Sequence, residues 1–124
     1  MALLGIDIGT SSTKGVLATE DGAVLATAVR PHETSMPRPG WVEHDAENVW
    51  WADVCAVSRE LLAQVTGVQV TGVCVSGIGP CLLVTDDAGR PLRPAILYGV
   101  DTRAGAEITE LTELTSGLRT RLRR

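Results

Sequence analysis

The segment from Asp7 to Lys14 combines residue types that could bind the phosphates of a nucleotide. Gly9 and a run of hydroxyl residues at positions 10–13 lie between them. Glycine lets a ligand approach the backbone closely, and such a turn offers N–H and hydroxyl donors to phosphate oxygens. Lys14 would add positive charge, and Asp7 would hold Mg²⁺ directly or through water. The candidate phosphate-binding residues are Asp7, Gly9, Thr10, Ser11, Ser12 and Lys14, with Asp7 as the candidate metal ligand.

Apolar residues flank this segment on both sides and predict the elements that position it. Residues 3–6 and 16–18 indicate two strands, so the polar segment becomes the tight turn of a hairpin. No Walker sequence is present, and a strand rather than a helix follows, so the segment is not a P-loop. On this segment alone, an ordinary hairpin with a polar turn remains the alternative to a phosphate site.

A third strand and a helix are expected after this hairpin. A third strand is expected over residues 23–29 after an Asp-Gly turn, which makes an antiparallel meander. A helix is expected over about residues 46–65, with Asp45 as its N-cap and Asp53 away from its apolar face. That face consists of Trp50, Val54, Val57, Leu61 and Val65.

The second half of the chain predicts a fourth strand and a second helix. The apolar run at residues 70–76 is typical of a strand that is buried on both faces and parallel to the first. Another strand is expected at 81–85, and a helix over about 102–114 with Asp101 as its cap. Four arginines among the last six residues predict that residues 116–124 form a solvated, disordered tail.

Composition narrows the function classes. A length of 124 residues predicts one domain, and a net charge of −4 does not suggest a nucleic-acid surface. No apolar run approaches the roughly 20 residues that span a bilayer, so no membrane association is expected. The chain starts with a strand pattern and has no basic segment before it, which predicts no signal peptide and a cytoplasmic location.

The cysteines and histidines do not suggest a metal site. Cys55, Cys74 and Cys81 include no C-x-x-C pair, and we expect them to be small buried hydrophobic residues. His32 and His44 have no ligand-like spacing to these cysteines, so zinc is not expected.

Four motifs in order resemble a known family. Asp-x-Gly-Thr-x-x-x-Lys at residues 7–14 resembles the first phosphate loop of the actin-like ATPase superfamily. Pro-Gly-Trp-Val-Glu-His-Asp at 39–45 and Val-Cys-Val-Ser-Gly at 73–77 resemble segments of the FGGY carbohydrate kinases, the family of glycerol kinase and xylulokinase. Arg-Pro-Ala-Ile-Leu-Tyr at 93–98, followed by Asp-Thr-Arg at 101–103, resembles a fourth segment. The resemblance covers about residues 3–115 and is closest to the xylulokinase-like branch.

The resemblance implies a fold and an activity. The fold is a ribonuclease-H-like α/β domain with a five-stranded mixed sheet flanked by helices. The activity is phosphorylation of a sugar or polyol hydroxyl, with ATP and Mg²⁺. Besides the phosphate loop, the resemblance assigns sugar contacts to Gly77, Gly79, Tyr98, Asp101 and Arg103.

This sequence departs from the family pattern at the sugar loop and in length. Residues 77–81 lack the side-chain donors of the Gly-Gln-Met-His-Gly sequence of xylulokinases, and Tyr98 replaces a usual tryptophan, so the sugar stays undetermined. Family members are much longer, and their general-base aspartate lies downstream of the matched segments. We therefore expect residues 1–115 to be a partial N-terminal domain that is inactive alone. Its partner would be the missing C-terminal domain, and a homodimer of the longer protein is compatible with the resemblance.

Two other interpretations remain open. The chain could be a non-catalytic remnant or a partner-binding fragment, which an exposed apolar patch would mark. It could also be another actin-like ATPase, such as an activator of a radical dehydratase. Those proteins hold an iron–sulfur cluster with cysteines, an arrangement that Cys74 and Cys81 do not match.

Overall fold

A mixed sheet with one helix packed across it forms the body of the chain in a computed structural model, which describes the backbone of residues 1–121 and the side chains of residues 1–115. The strands are β1 (Ala2–Ile8), β2 (Ser12–Thr19), β3 (Val24–Pro31), β4 (Glu43–His44), β5 (Val70–Gly77) and β6 (Ala95–Ile96). A π-helical segment, Ala46–Trp51, leads into α1 (Ala52–Gln64), and α2 spans Gly105–Arg121.

The main sheet has the strand order β3-β2-β1-β5. Strands β1, β2 and β3 are antiparallel and joined by short turns, which confirms the predicted meander. Strand β5 is parallel to β1, also as predicted, because the chain crosses over through α1 before it re-enters the sheet. The described residues contain four strands of this sheet, where the resemblance implies five.

The core lies between this sheet and α1. Val57 and Leu61 of α1 are fully buried against the apolar side chains of the meander, which include Leu4, Ile6, Leu17, Ala26 and Ala28. The helix can lie this close because Gly15 of β2 has no side chain: a Cβ there would come within 2.3 Å of Val57 Cγ1. Full burial of a valine or leucine side chain stabilises the fold by about 1.5–3 kcal/mol.

The prediction that β5 is buried on both faces is wrong. Val73 is 62% exposed and Val75 is 55% exposed, and Cys74, predicted to be buried, is exposed as well. The helix α1 packs against β1, β2 and β3, so it leaves β5 uncovered. Among the described residues nothing pairs with the outer edge of β5. The apolar residues of this strand therefore stay exposed in the part of the chain that the structure describes.

The predicted helix over residues 46–65 begins and ends close to where it was expected, but it is not one regular helix. Asp45 is its N-cap, as predicted, and its carboxylate accepts hydrogen bonds from the backbone N–H groups of Glu47 and Asn48. The first turns are wider than those of an α-helix, because Trp50 N donates five residues back, to Asp45 O at 3.4 Å. Asp53 was expected on a polar face and is instead buried, because it precedes Val57 by one helical turn.

The segment between β5 and β6 contains only short pairings. The predicted strand at residues 81–85 is wrong: Leu82 pairs with Ile96 and Thr85 with Pro91 through isolated bridges. Prolines in this segment remove backbone donors and interrupt a ladder. Strand β6, to which Ile96 belongs, forms its ladder with β4. A small two-stranded sheet thus joins residues 43–44 to residues 95–96.

The helix α2 differs from its prediction at both ends. It begins at Gly105, so Asp101 lies outside it and is not its cap. It continues to Arg121, beyond the expected end at residue 114, because residues 116–121 contain helix-forming Leu and Arg and no proline. Residues 116–121 are therefore helical where a disordered tail was predicted, and the last part of that predicted tail, residues 122–124, lies outside the described residues. Within residues 1–121, no helix combines the length and apolarity needed to cross a membrane.

Candidate functional site

The turn between β1 and β2 is tight and presents unpaired donors. Gly9 N donates to Ser12 O at 2.9 Å, and a Cβ on Gly9 would lie only 3.0 Å from that oxygen, so this position favours glycine. Thr10 and Ser11 at the tip are exposed. Among the described residues, their backbone N–H groups donate to no protein acceptor. The turn therefore offers backbone donors, together with hydroxyl groups, to an anion outside the protein.

Asp7 and Lys14 lie beside this turn as a matched cross-strand pair on β1 and β2. Both side chains are exposed on the sheet face opposite α1, and neither forms an ion pair within the part of the chain that the structure describes. On the other side of Asp7, β5 places Ser76 in register with it. One carboxylate, one ammonium group and one hydroxyl group thus lie at adjacent positions of three strands.

This set of groups fits a magnesium–phosphate ligand. Mg²⁺ is commonly held in proteins by one or two carboxylates, with phosphate oxygens and water completing its shell. Asp7 provides one accessible carboxylate that forms no ion pair with a cation of the described residues, and the turn provides candidate phosphate donors.

The four hydroxyl residues at positions 10–13 differ in accessibility. Thr13 is fully buried on the core side of β2, and its Oγ1 has no hydrogen-bond partner among the described residues. Ser12 is half-buried where β2 begins. Thr13 is thus inaccessible to an external phosphate, and the candidate hydroxyl donors are those at positions 10–12.

A buried cluster behind the turn holds three consecutive carbonyl groups. His32 Nε2 lies 3.1 Å from Gly9 O, Thr34 Oγ1 donates to Thr10 O at 3.1 Å, and His32 N donates to Ser11 O at 3.0 Å. The other ring nitrogen of His32 lies 2.8 Å from Asp53 Oδ2, and Arg30 Nε donates to Asp53 Oδ1 at 3.3 Å. No function of this cluster was predicted from the sequence. One sequence feature could have indicated that Asp53 is buried: it lies four residues before Val57, on the apolar face of the helix.

His44 completes the support of the turn. Trp50 Nε1 donates to His44 Nδ1 at 2.8 Å, and His44 Nε2 lies 3.1 Å from Thr34 Oγ1. Burial, and second to it the charge of nearby His32, lower the pKa of His44 below its usual value. His44 is therefore a neutral side chain that connects the π-helical segment before α1 to the turn.

The candidate sugar residues Gly77 and Gly79 lie next to the phosphate turn. Gly77 ends β5 in register with Ile8, and Ile78 N donates to Ile8 O at 2.7 Å. The loop after β5 is thereby fixed to the last residue of β1. It offers backbone groups rather than polar side chains at residues 77–80, as the sequence indicated.

The candidate sugar residues Asp101 and Arg103 have protein partners. Arg103 donates to both carboxylate oxygens of Asp101, and Asp101 Oδ2 also accepts from Val42 N at 2.7 Å. The Arg103 hydrogen bonds, with lesser help from Val42 N–H, hold the pKa of Asp101 far below its usual range. The Arg103 guanidinium lies 3.9 Å from the centre of the Trp41 ring and also binds Glu43. A sugar contact by either side chain stays a prediction.

Glu43 and Tyr98 lie in the same region as Asp101 and Arg103. Glu43 is buried and accepts from both Arg93 and Arg103 at 2.9 Å, which connects residues 41–43 to residues 93–103. Tyr98 lies in the connected segment and is 63% exposed. The structure thus groups Asp101 and Arg103 in a packed cluster and leaves Tyr98 accessible to a ligand.

The sequence matches the model of the FGGY family of carbohydrate kinases, N-terminal domain, over residues 2–123. Xylulose kinase from Staphylococcus xylosus is 34% identical over 109 residues, which are 88% of this chain and 22% of that protein. Glycerol kinase from Citrifermentans bemidjiense is 36% identical over 110 residues, which are 87% of this chain and 22% of that protein. The chain spans about a fifth of the length of these curated relatives.

Solved structures show the same similarity. Xylulose kinase from Rhodospirillum rubrum superposes with a TM-score of 0.84 at 38% identity, over 91% of this chain and 23% of that chain. A xylulose kinase from Brucella ovis superposes with a TM-score of 0.85 at 31% identity, over 94% of this chain and 24% of that chain.

Proposed function

This chain belongs to the FGGY family of carbohydrate kinases, and from that premise we propose that it forms the phosphate-binding part of an ATP-dependent sugar or polyol kinase. The observation that supports the proposal is the arrangement at the ends of β1 and β2. Exposed Asp7 and Lys14 lie side by side, next to a turn whose N–H groups at Thr10 and Ser11 have no acceptor among the described residues. An ordinary hairpin would not require these unpaired donors and charges together.

The chemistry that follows is transfer of the γ-phosphate of MgATP to a hydroxyl group. Phosphoryl transfer depends mainly on positioning and on neutralising the charge of the phosphate oxygens. The Thr10 and Ser11 N–H groups and the hydroxyls at 10–12 would bind those oxygens, and Lys14 would neutralise part of their charge. Bound Mg²⁺ supplies further neutralisation, and Asp7 would hold it directly or through water.

The sugar would bind next to this site. Gly77 and Gly79 would offer backbone groups at the end of β5, and exposed Tyr98 would offer a ring and a hydroxyl group. Asp101 and Arg103 complete the candidate set. Because their charged groups already bind each other, Val42 and Glu43, their contribution would be to hold the segment that carries Tyr98.

The rest of the kinase would supply the general base and the second wall of the nucleotide site. Apolar side chains that the described residues leave exposed support such a complement: Leu3, Val73, Val75, Ile108, Leu111 and Leu114. We propose that residues 1–115 are the partial N-terminal domain of a cytoplasmic enzyme, which forms a homodimer in its longer form. The same exposed surface supports the second candidate function, a non-catalytic fragment that binds a partner.

A chimaera separates these two functions. The chain replaces the matching segment of the Rhodospirillum rubrum xylulose kinase, with which it shares 38% identity. Sugar-dependent ADP release is then measured against a panel of pentoses, hexoses and polyols. We expect turnover with at least one of them. A folded chimaera that binds no MgATP and phosphorylates none of them would contradict the kinase function and favour the partner-binding fragment.

A further inference from the structure

We propose that His32 is a positioning residue that acts as an imidazolium, with one N–H bound to the Asp53 carboxylate and the other to the Gly9 carbonyl. This bridge fixes the turn that presents the phosphate donors. The inferred protonation state stands on the geometry of the cluster alone, whereas its consequence for phosphate binding rests on the proposed function. Both ring contacts belong to a side chain that is 6% exposed.

The partners of His32 determine its protonation. Nδ1 lies 2.8 Å from Asp53 Oδ2, and Nε2 lies 3.1 Å from Gly9 O. An ionised carboxylate and a backbone carbonyl only accept hydrogen bonds. A neutral imidazole has one N–H, so one nitrogen lone pair would face an oxygen atom at hydrogen-bond distance. The imidazolium satisfies both contacts, and Asp53 compensates its buried charge.

The neighbouring ring of His44 is neutral, and its protonation state also follows from its hydrogen-bond partners. Trp50 Nε1 is a donor only, so His44 Nδ1 must accept from it, at 2.8 Å. The Thr34 hydroxyl donates to Thr10 O, so it accepts from His44 Nε2. His44 is therefore neutral and protonated at Nε2. The groups that face His32 are Asp53 of α1, the His44 ring at 5.0 Å between ring centres, and Arg30 behind Asp53.

Because peptide bonds are planar, the carbonyl contacts of the cluster also determine where the N–H groups on the outer side of the turn point. In a trans peptide the C=O and N–H bonds point in opposite directions. Because His32 holds Gly9 O toward the buried cluster, the N–H of Thr10, which belongs to the same peptide, points away from it. Thr34 holds Thr10 O in the same manner and so directs the N–H of Ser11 outward. A charged donor on the carbonyl also polarises the peptide and strengthens its N–H as a donor.

The first test is ¹⁵N NMR of the histidine rings in the 124-residue chain at neutral pH, with no ligand present. We expect His32 to show two protonated nitrogens, and His44 to show one protonated and one bare nitrogen. A bare nitrogen on His32 at neutral pH would overturn the proposal, whether or not any variant folds.

The second test measures binding of magnesium pyrophosphate by the amide shifts of residues 9–12. His32→Phe keeps a planar aromatic ring, although a larger one, and removes both donors, so affinity should fall about tenfold or more, the effect of one charge-assisted hydrogen bond. His32→Gln, which can restore one donor to Gly9 O, should recover part of that loss. Arg30→Gln is the matched control, because it removes a charge from the cluster without touching the turn. Equal losses for Arg30→Gln and His32→Phe would contradict a specific bridge.

The two tests separate this inference from the function on which it partly rests. If the wild-type chain shows the imidazolium signature but binds no pyrophosphate, the phosphate site fails and the His32 bridge stands. If it binds pyrophosphate but His32 is neutral, the phosphate site stands and the bridge is refuted.

Discussion

Replacing Gly15 with alanine tests whether the close contact between β2 and α1 supports both the fold and the phosphate turn. A Cβ at this position would lie 2.3 Å from Val57 Cγ1 and 2.8 Å from Leu61 Cδ1, and real Cβ atoms essentially never come this close to other heavy atoms. Val57 and Leu61 are fully buried in a close-packed core, so they cannot swing away. The helix must therefore shift outward.

The magnitude follows from this overpacking. Forcing an extra methyl group into a packed core costs about 1–3 kcal/mol. For a chain of this size about 4 °C of Tm corresponds to 1 kcal/mol, so the Tm should fall by roughly 4–12 °C. The shift also displaces Asp53 on α1, which binds His32, so the amide resonances of Thr10 and Ser11 should move with it.

Thermal and urea unfolding of Gly15→Ala would be followed by circular dichroism, and the amide resonances by NMR. Gly105→Ala is the control, because a Cβ at that position would meet nothing within 4 Å and the helix there gains propensity. The control should be neutral or slightly more stable than the wild type. A Gly15→Ala variant with unchanged Tm and unchanged turn resonances would refute the reasoning.

Three further predictions concern activity and pH. The 124-residue chain alone should show no sugar-dependent ADP release in a coupled assay, since its proposed general base lies elsewhere, and robust turnover by the pure chain would contradict this. In the chimaera, Tyr98→Ala should raise the KM for the sugar far more than the KM for ATP and leave the Tm almost unchanged, because Tyr98 is 63% exposed; equal effects on both substrates would remove it from the sugar site. Asp101→Asn should lower the free energy of unfolding at neutral pH, since it weakens the bonds to Arg103 and Val42. The native pKa of Asp101 lies below its unfolded value of 3.8, so this contribution is fully present above 3.8 and disappears as the pH falls through the native value. The difference between wild type and Asp101→Asn should thus be constant above about pH 5 and shrink below pH 4, and a difference that does not change with pH would contradict the role of the carboxylate.

Local sequence patterns predicted the parts of the fold that local physics determines. The turn between β1 and β2, the antiparallel meander and the N-cap at Asp45 each depend on a few neighbouring residues. The parallel pairing of β5 with β1 was predicted from the apolar run at residues 70–76, and in the structure it is made possible by the crossover through α1. The candidate phosphate residues at positions 7–14 were chosen in the same way, from their types and order, and they stay a prediction.

What the sequence did not predict depends on distant contacts. An apolar run such as β5 indicates burial, but it does not reveal that α1 packs on the other strands and leaves this one exposed. Asp53 seemed to belong to a polar face because its partners, Arg30 and His32, come from another element. Likewise, Asp101 and Arg103 carried the resemblance to a sugar site, while only the folded chain shows that Val42 and Glu43 bind them.

The turnover of the chimaera with Asp7→Asn tests the central claim most directly. Asp7 is exposed and has no protein partner among the described residues, so the substitution should change the Tm by no more than about 2 °C. If Asp7 holds Mg²⁺ for phosphoryl transfer, kcat should fall by about 100-fold or more, whereas Asp87→Asn, a control at an exposed carboxylate outside the candidate site residues, should leave kcat unchanged. A folded Asp7→Asn chimaera with the kcat of its parent would contradict the assignment of this turn as a magnesium–phosphate site.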